Sequence, residues 1–153
     1  MIYVECNPDE LLVKLLTGVS KREIIHAGNK PEVCKRLKKI NGVIGLVDED
    51  PDSVQPGYIS GREEEINDYG EGIKVLEERN NKLIILCPRL EEFILDIAKK
   101  EKIDVKKYKL PNNGNDFHNV INVNLDNFEK LVDDLKKVKT MKTLRHLLTA
   151  KNN

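Results

Sequence analysis

Apolar residues occur along the chain either in short continuous runs or in stripes at helical spacing. The runs Ile2–Glu5, Glu23–Ala27 and Val43–Val47 have the length and the β-branched content of short buried strands. Between them, apolar residues recur every three or four positions and predict two helices, which end at Gly18 and Gly42. The alternation of strand and helix is typical of a parallel sheet with right-handed crossovers.

The second half of the chain predicts a long loop, a hairpin and three helices. Residues 51–72 are rich in Pro and Gly and predict an irregular loop with one helical turn near Arg62–Asn67. Loops of this length inside a domain are often functional. The strands Ile73–Glu78 and Leu83–Cys87 follow as a predicted hairpin. Apolar stripes then predict a helix from Leu90 to about Lys102 and, after the polar segment Pro111–Asn119, helices from Asn124 or Asp126 and from Thr140.

These elements predict an α/β fold in a single domain spanning residues 1–153, with a core at residues 1–103 and a C-terminal helical extension at residues 104–153. We expect three layers around a mainly parallel sheet of four or five strands, with the hairpin forming an antiparallel edge.

Composition limits the classes of function. Lys and Arg number 26, as do Asp and Glu, so the formal net charge is zero and no overall basic field attracts nucleic acid. Trp is absent and aromatic residues make up 5 % of the chain, which argues against a platform for stacking bases. Cys6, Cys34 and Cys87 lack paired spacing, which predicts reduced thiols and not a zinc site. Without an apolar run of membrane-spanning length or a signal-peptide pattern, we expect a cytoplasmic protein that does not enter a membrane.

The strongest chemical signal follows the third predicted strand. The run Val43–Val47 ends abruptly in Asp48-Glu49-Asp50-Pro51-Asp52, and Pro51 prevents continuation of the strand. Residues two apart on a strand point to the same side, so Asp48 and Asp50 are predicted to reach one cation. Mg²⁺, or Mn²⁺ in its place, binds to one or two carboxylates and keeps positions for phosphate oxygens. The alternative is a solvated acidic turn, because Asp and Pro are common turn formers.

Glu5 is the second half of this signal. The carboxyl ends of neighbouring parallel strands meet at one edge of a sheet, and functional groups gather there. Glu5 ends the first predicted strand, so it is expected to face the same cleft as Asp48 and Asp50. Three carboxylates at one edge favour the metal-site interpretation over the turn.

These residues resemble the TOPRIM domain shared by topoisomerases, bacterial-type primases and OLD-type nucleases. The resemblance is carried by Tyr3-Val4-Glu5, a strand ending at Gly28, and Gly45-Leu46-Val47-Asp48-Glu49-Asp50. It implies a Rossmann-like sheet, with Glu5 acting as general acid, base or ligand. It further implies that Asp48 and Asp50 hold Mg²⁺ or Mn²⁺ during the making or breaking of phosphodiester bonds in DNA or RNA.

One departure supports a competing interpretation. TOPRIM domains usually place Gly directly after the first-strand glutamate, whereas Cys6-Asn7-Pro8 stands here. The alternative is a non-catalytic module on the same fold, which acts through metal binding or through contact with a protein partner or a second copy of the chain.

Three further features each have two interpretations. Lys30, at a predicted helix start, is a phosphate-binding candidate or a surface lysine. Leu90-Glu91 resembles the Leu-Glu pair of small TOPRIM-like proteins; alternatively, Glu91 and Glu92 are first-turn acids that match the helix dipole. The basic stretch from Lys136 to His146 offers phosphate contacts or forms a solvated helix face.

Overall fold

A single six-stranded sheet organises the chain. The computed structural model describes residues 1–150, and its strands lie in the order β2-β1-β3-β6-β5-β4. The first four strands in this order are parallel, and β5 and β4 are added antiparallel at one side. The strands are β1 (Ile2–Val4), β2 (Ile24–His26), β3 (Ile44–Asp48), β4 (Ile66–Gly70), β5 (Ile73–Glu78) and β6 (Asn81–Leu86). The predicted α/β class with an antiparallel edge is therefore confirmed.

Helices cover the two faces of the sheet unequally. They are α1 (Asn7–Thr17), α2 (Lys30–Lys39), α3 (Leu90–Lys100), α4 (Gly114–Val120), α5 (Leu125–Leu135) and α6 (Lys139–Thr149). All except α2 bury their apolar residues on one face, in one cluster with Val4, Leu46 and Ile84. The other face is covered by α2 together with Tyr58 and Ile59 of the loop after β3. The result is three layers in which the second face has the thinner cover.

The close approach of α2 to β3 depends on Gly45. A Cβ atom built at this position would lie 2.7 Å from Val33 Cγ1, 3.0 Å from Leu83 Cδ1 and 3.1 Å from Leu37 Cδ1. The buried amide of Asn81 fixes the far end of the same helix. Its Oδ1 accepts from the N–H of Val43, and its Nδ2 donates to the carbonyls of Leu37 and Ile40.

Two segments predicted as irregular contain regular structure. Within residues 51–72 a 3₁₀ turn at Glu63–Glu65 agrees with the predicted helical turn, but the strand β4 follows it and raises the sheet to six strands. Strand β4 is an edge strand with one partner and mostly exposed side chains, so it lacks the apolar alternation that marks a strand. The polar segment at residues 111–119 contains most of α4, which Phe117 anchors in the core.

The C-terminal helices belong to the same hydrophobic core as the sheet. Phe117 of α4 contacts Phe128 of α5 edge to face, with ring centroids 6.1 Å apart. Leu131 and Leu144 are fully buried in the cluster that includes Val4 and Leu46. Among residues 1–150, no helix is long and apolar enough to cross a membrane.

Candidate functional site

The candidate site lies where the chain reverses its direction across the sheet. From β1 the chain crosses through α1 to β2 on one side, and α2 then returns it past β1 to β3 on the other side. In open α/β sheets this switch point forms a crevice outside the carboxyl ends of the strands, where ligands bind. We call this edge of β1, β2, β3 and β6 the carboxyl edge; the helices α1, α2 and α3 all begin there.

Glu5 and Asp48 are in direct contact at the carboxyl edge. The Oε1 atom of Glu5 accepts a hydrogen bond of 2.8 Å from the backbone N–H of Asp48. Burial raises the pKa of Glu5, and the charge of Asp50 raises it further, whereas the Asp48 N–H and the Lys30 charge act in the opposite direction. The predicted convergence of the first and third strands is therefore present for these two residues.

Asp48 lies at the start of α3. Its Oδ1 atom accepts from the backbone N–H of Leu90 at 2.8 Å, which satisfies one of the free N–H groups at the N-terminus of that helix. Burial raises the pKa of Asp48 to about 9, and the neighbouring carboxyl groups of Asp9, Glu5 and Glu91 add to the increase. Asp48 is thus a carboxyl group that keeps its proton at neutral pH.

Asp9 is a buried member of this group. It is 3 % exposed, and its Oδ2 atom accepts from the N–H groups of Glu5 and Cys6 at 3.2 Å each and from the Cys6 thiol at 3.3 Å. Burial, followed by the charge of Glu5, raises its pKa to about 7. Asp9 lies in the first turn of α1 and forms a capping box with the N-cap residue Cys6. Its proximity to Glu5 and Asp48 was not predicted.

Glu91 contributes a fourth carboxyl group. It is 4 % exposed, and its Oε1 atom lies 3.1 Å from Nδ1 of His118 on α4. Its Oε2 atom is buried and has no hydrogen-bond partner within residues 1–150. A buried polar atom without a partner is rare in native proteins and marks a place where a water or an ion is expected. We refer to Glu5, Asp9, Asp48 and Glu91 as the acidic cluster.

Asp50 is placed differently from the prediction. Strand β3 ends at Asp48, and Asp50 has a φ of 42°, so the alternation of side chains along a strand does not extend to it. Its backbone N–H donates to the carbonyl of Pro88 at 3.0 Å. Its carboxylate is still close enough to raise the pKa of Glu5. A role for Asp50 as a metal ligand stays a prediction.

Lys30 is a buried residue rather than a surface lysine. It is 5 % exposed, and its Nζ atom donates to the carbonyl of Glu49 at 2.6 Å and to Oε1 of Gln55 at 3.0 Å. The ammonium group therefore holds the segment after β3 against the start of α2. Phosphate binding by Lys30 stays a prediction, and it requires the side chain to exchange one of these partners.

The chemistry of the acidic cluster suits a hard divalent cation, although its present geometry is not that of a finished metal site. Carboxylate oxygens are the ligands that Mg²⁺ and Mn²⁺ prefer, and the unpaired Oε2 atom of Glu91 is such a donor. Among residues 1–150, no group of three or more His, Cys, Asp or Glu side chains is arranged to hold a metal ion. Binding of a cation therefore requires the carboxyl groups to lose protons and move closer together.

Comparison with known proteins leaves the family open. No protein-family model matches the chain, and neither a curated protein nor a solved structure matches it. The TOPRIM resemblance therefore stays a prediction from Glu5, Asp48, Asp50 and the residues around them.

Proposed function

We propose that the carboxyl edge binds Mg²⁺ or Mn²⁺ and carries out TOPRIM-like phosphodiester chemistry on DNA or RNA, as a nuclease or in phosphotransfer. One observation carries the proposal: the acidic cluster brings four carboxyl groups together at the switch point of the sheet, of which Asp9 and Glu91 are buried and Glu5 and Asp48 are partly buried. Such a concentration of carboxyl groups is unfavourable by itself, because like charges repel and burial disfavours ionisation.

A divalent cation relieves this unfavourable arrangement. Without a cation, Asp48 is neutral at pH 7 because its pKa is about 9, and Asp9 is half protonated because its pKa is about 7. A cation with two positive charges stabilises the ionised carboxylates and replaces the protons. Cation binding is therefore expected to release protons and to tighten as the pH rises.

The side chains have distinct proposed roles. Asp48 and Asp50 are the proposed ligands of the cation, and Glu5 is the proposed general acid or base, or a further ligand. Glu5 suits proton transfer because burial raises its pKa towards neutrality. When bound, the cation would neutralise phosphate charge and lower the pKa of a coordinated water. Lys30, whose charge acts on Glu5, is the proposed contact for a phosphate group.

The test is cleavage of nucleic acid by the full chain. Single- and double-stranded DNA and RNA are incubated at low salt with Mn²⁺ and with the wild type, Glu5→Gln or Asp52→Asn. Gln keeps an oxygen that can accept from the Asp48 N–H, so this variant should fold. We expect the wild type and the exposed-site control Asp52→Asn to cleave, and Glu5→Gln to lose activity. Equal cleavage by all three proteins would identify a contaminating nuclease. If none of the three proteins cleaves any of the substrates, the proposal is refuted.

A second candidate is a non-catalytic module that acts through protein contact. The observation that favours it is that Glu5, Asp9 and Asp48 each already accept a backbone N–H, and that Asp9 and Asp48 cap helices. In this interpretation the acidic cluster fixes the starts of α1 and α3 and has no substrate. A folded protein whose stability does not change with Mg²⁺, and which neither cuts nor retards nucleic acid, would favour this candidate.

A further inference from the structure

A cleft with a cavity volume of about 430 Å³ opens on the thinly covered face of the sheet. It lies between the loop after β3 and the strands β4, β5 and β6, on the side of this face that lies away from α2. Ile59, Ile66 and Ile85 provide its apolar floor. Its volume is within the range of roughly 300–1,000 Å³ that is typical of sites for small molecules.

The walls of the cleft carry an excess of negative charge. The ammonium group of Lys74 is paired with Oε2 of Glu49 at 2.7 Å, which neutralises one acid. Glu63 and Asp68 also line the cleft, and neither makes a salt bridge within the described part of the chain. Each accepts one backbone N–H: Glu63 from Gly61 at 3.2 Å, and Asp68 from Gly70 at 2.8 Å. Two carboxylates therefore lie beside an apolar floor without a salt bridge in the described part of the chain, although the pKa of Lys74 is raised by its hydrogen bond to Glu49 and, to a smaller degree, by the charge of Asp68.

We propose that this cleft binds an organic cation, namely a guanidinium or ammonium group carried on an aliphatic chain. The aliphatic part would cover the three isoleucines, and the charged group would lie between Glu63 and Asp68. Charge-assisted hydrogen bonds from N–H donors to carboxylates are stronger than neutral ones and suit a guanidinium group best. Asp48 of the acidic cluster also lines this cleft, which therefore adjoins the carboxyl edge. Binding of an organic cation at Glu63 and Asp68 goes beyond the proposed phosphodiester chemistry and does not require it.

A nucleotide, which the proposed phosphodiester chemistry would suggest as a ligand, does not suit the residues that line this cleft. A phosphate group would be repelled by Glu63 and Asp68, and the single ammonium group in the lining is already paired. None of the lining residues is aromatic, so a base would find no side chain to stack on.

The experiment titrates the metal-free chain of residues 1–153 with agmatine, which joins a guanidinium and an ammonium group through four methylenes. Binding is followed by chemical-shift changes of backbone amides at residues 59–74 and by calorimetry. Pentanol and pentanoate serve as neutral and anionic probes with aliphatic chains of similar length. A second titration uses a blocked pentapeptide with one central Arg. Comparison of the affinities of agmatine and the peptide shows whether the site favours a free organic cation or an arginine side chain.

Paired variants supply the control. The double variant Glu63→Gln/Asp68→Asn keeps both backbone hydrogen bonds but removes the charges, and we expect it to bind the better cation at least about fivefold more weakly. The double variant Glu64→Gln/Asp52→Asn removes two exposed acids that do not line the cleft, and its affinity should equal that of the wild type.

Three outcomes would overturn the proposal: no binding of either cation, equal binding of pentanol or pentanoate, or equal weakening in both double variants. Binding of agmatine or of the peptide that is weakened only by Glu63→Gln/Asp68→Asn would establish it. Thermal unfolding of each variant verifies that the fold is intact.

Discussion

Replacing Asp48 with Asn should stabilise the metal-free protein at neutral and alkaline pH. The partly buried carboxyl group of Asp48 has a pKa of about 9 in the folded protein, against an ordinary value of 3.8. Between these values the folded protein holds a proton that the unfolded chain releases, so the free energy of unfolding falls as the pH rises. Asn is neutral in both states and removes this dependence, while its side-chain oxygen can still accept from the N–H of Leu90.

The size of the effect follows from the same two values. For each pH unit over which the folded protein keeps the Asp48 proton and the unfolded chain has lost it, the free energy of unfolding falls by about 1.4 kcal/mol. Burying the amide of Asn without new partners gives back roughly 1–3 kcal/mol. We therefore expect Asp48→Asn to increase the free energy of unfolding at pH 7.5 by on the order of 2 kcal/mol. The advantage should shrink by about 1.4 kcal/mol for each unit by which the pH falls and reverse at roughly pH 6, where the cost of burying the Asn amide outweighs the remaining effect of the Asp48 proton.

Urea unfolding followed by circular dichroism, at half-unit steps from pH 4.5 to 8.5 in the presence of a chelator, measures this difference. Asp52→Asn, at an exposed position in the loop after β3, is the matched control and should follow the wild type at every pH. The assignment of a raised pKa to Asp48 would be contradicted if Asp48→Asn were less stable than the wild type at pH 7.5. It would also be contradicted if the difference in unfolding free energy between the two proteins did not change with pH.

Two further changes test the packing that positions the site. Gly45→Ala should destabilise the protein by about 1–3 kcal/mol, because the added methyl group meets Val33 at 2.7 Å; an unchanged urea midpoint would show that α2 does not lie this close to β3. Asn81→Ala removes three hydrogen bonds from a buried position and should cost about 2–3 kcal/mol in the same assay. If Asn81→Ala lowers the free energy of unfolding by less than about 0.5 kcal/mol, its amide does not fix α2 to β3.

The parallel half of the fold is readable from the sequence because its signals are local and repeated. Runs such as Val43–Val47 are apolar on both sides, and the intervening helical stripes are ended by Gly18 and Gly42. Strand β4 was missed for the opposite reason: Asn67, Asp68 and Tyr69 are exposed at a sheet edge, so nothing in their pattern distinguishes strand from loop. Its pairing with β5 is a tertiary effect that the segment does not encode alone.

The acidic cluster is only half visible in the sequence. Glu5 and Asp48 follow strands directly, and the rule that parallel strands end at one edge is sufficient to place them together. Asp9 and Glu91 stand in first turns of helices, where an acid is normally explained by the dipole. What distinguishes them is burial, at 3 % and 4 % exposure, and burial depends on how α1 and α3 pack over the sheet. The useful signal in the sequence is an acid in the first turn of a helix that directly follows a strand with a candidate site residue at its end. This signal would have identified both Asp9 and Glu91.

The most direct test of the central claim is the position of Mn²⁺ in crystals of the wild-type protein soaked at pH 8, located by its anomalous scattering. We expect a single strong peak at the carboxyl edge, within coordination distance of carboxylate oxygens of Asp48 and of Glu5 or Asp50, and no such peak in Asp48→Asn crystals soaked in the same way. Two results would contradict the proposal that these carboxyl groups form a divalent-cation site. One is an anomalous peak found only at surface side chains, and the other is the absence of any peak at the acidic cluster after soaking in millimolar Mn²⁺.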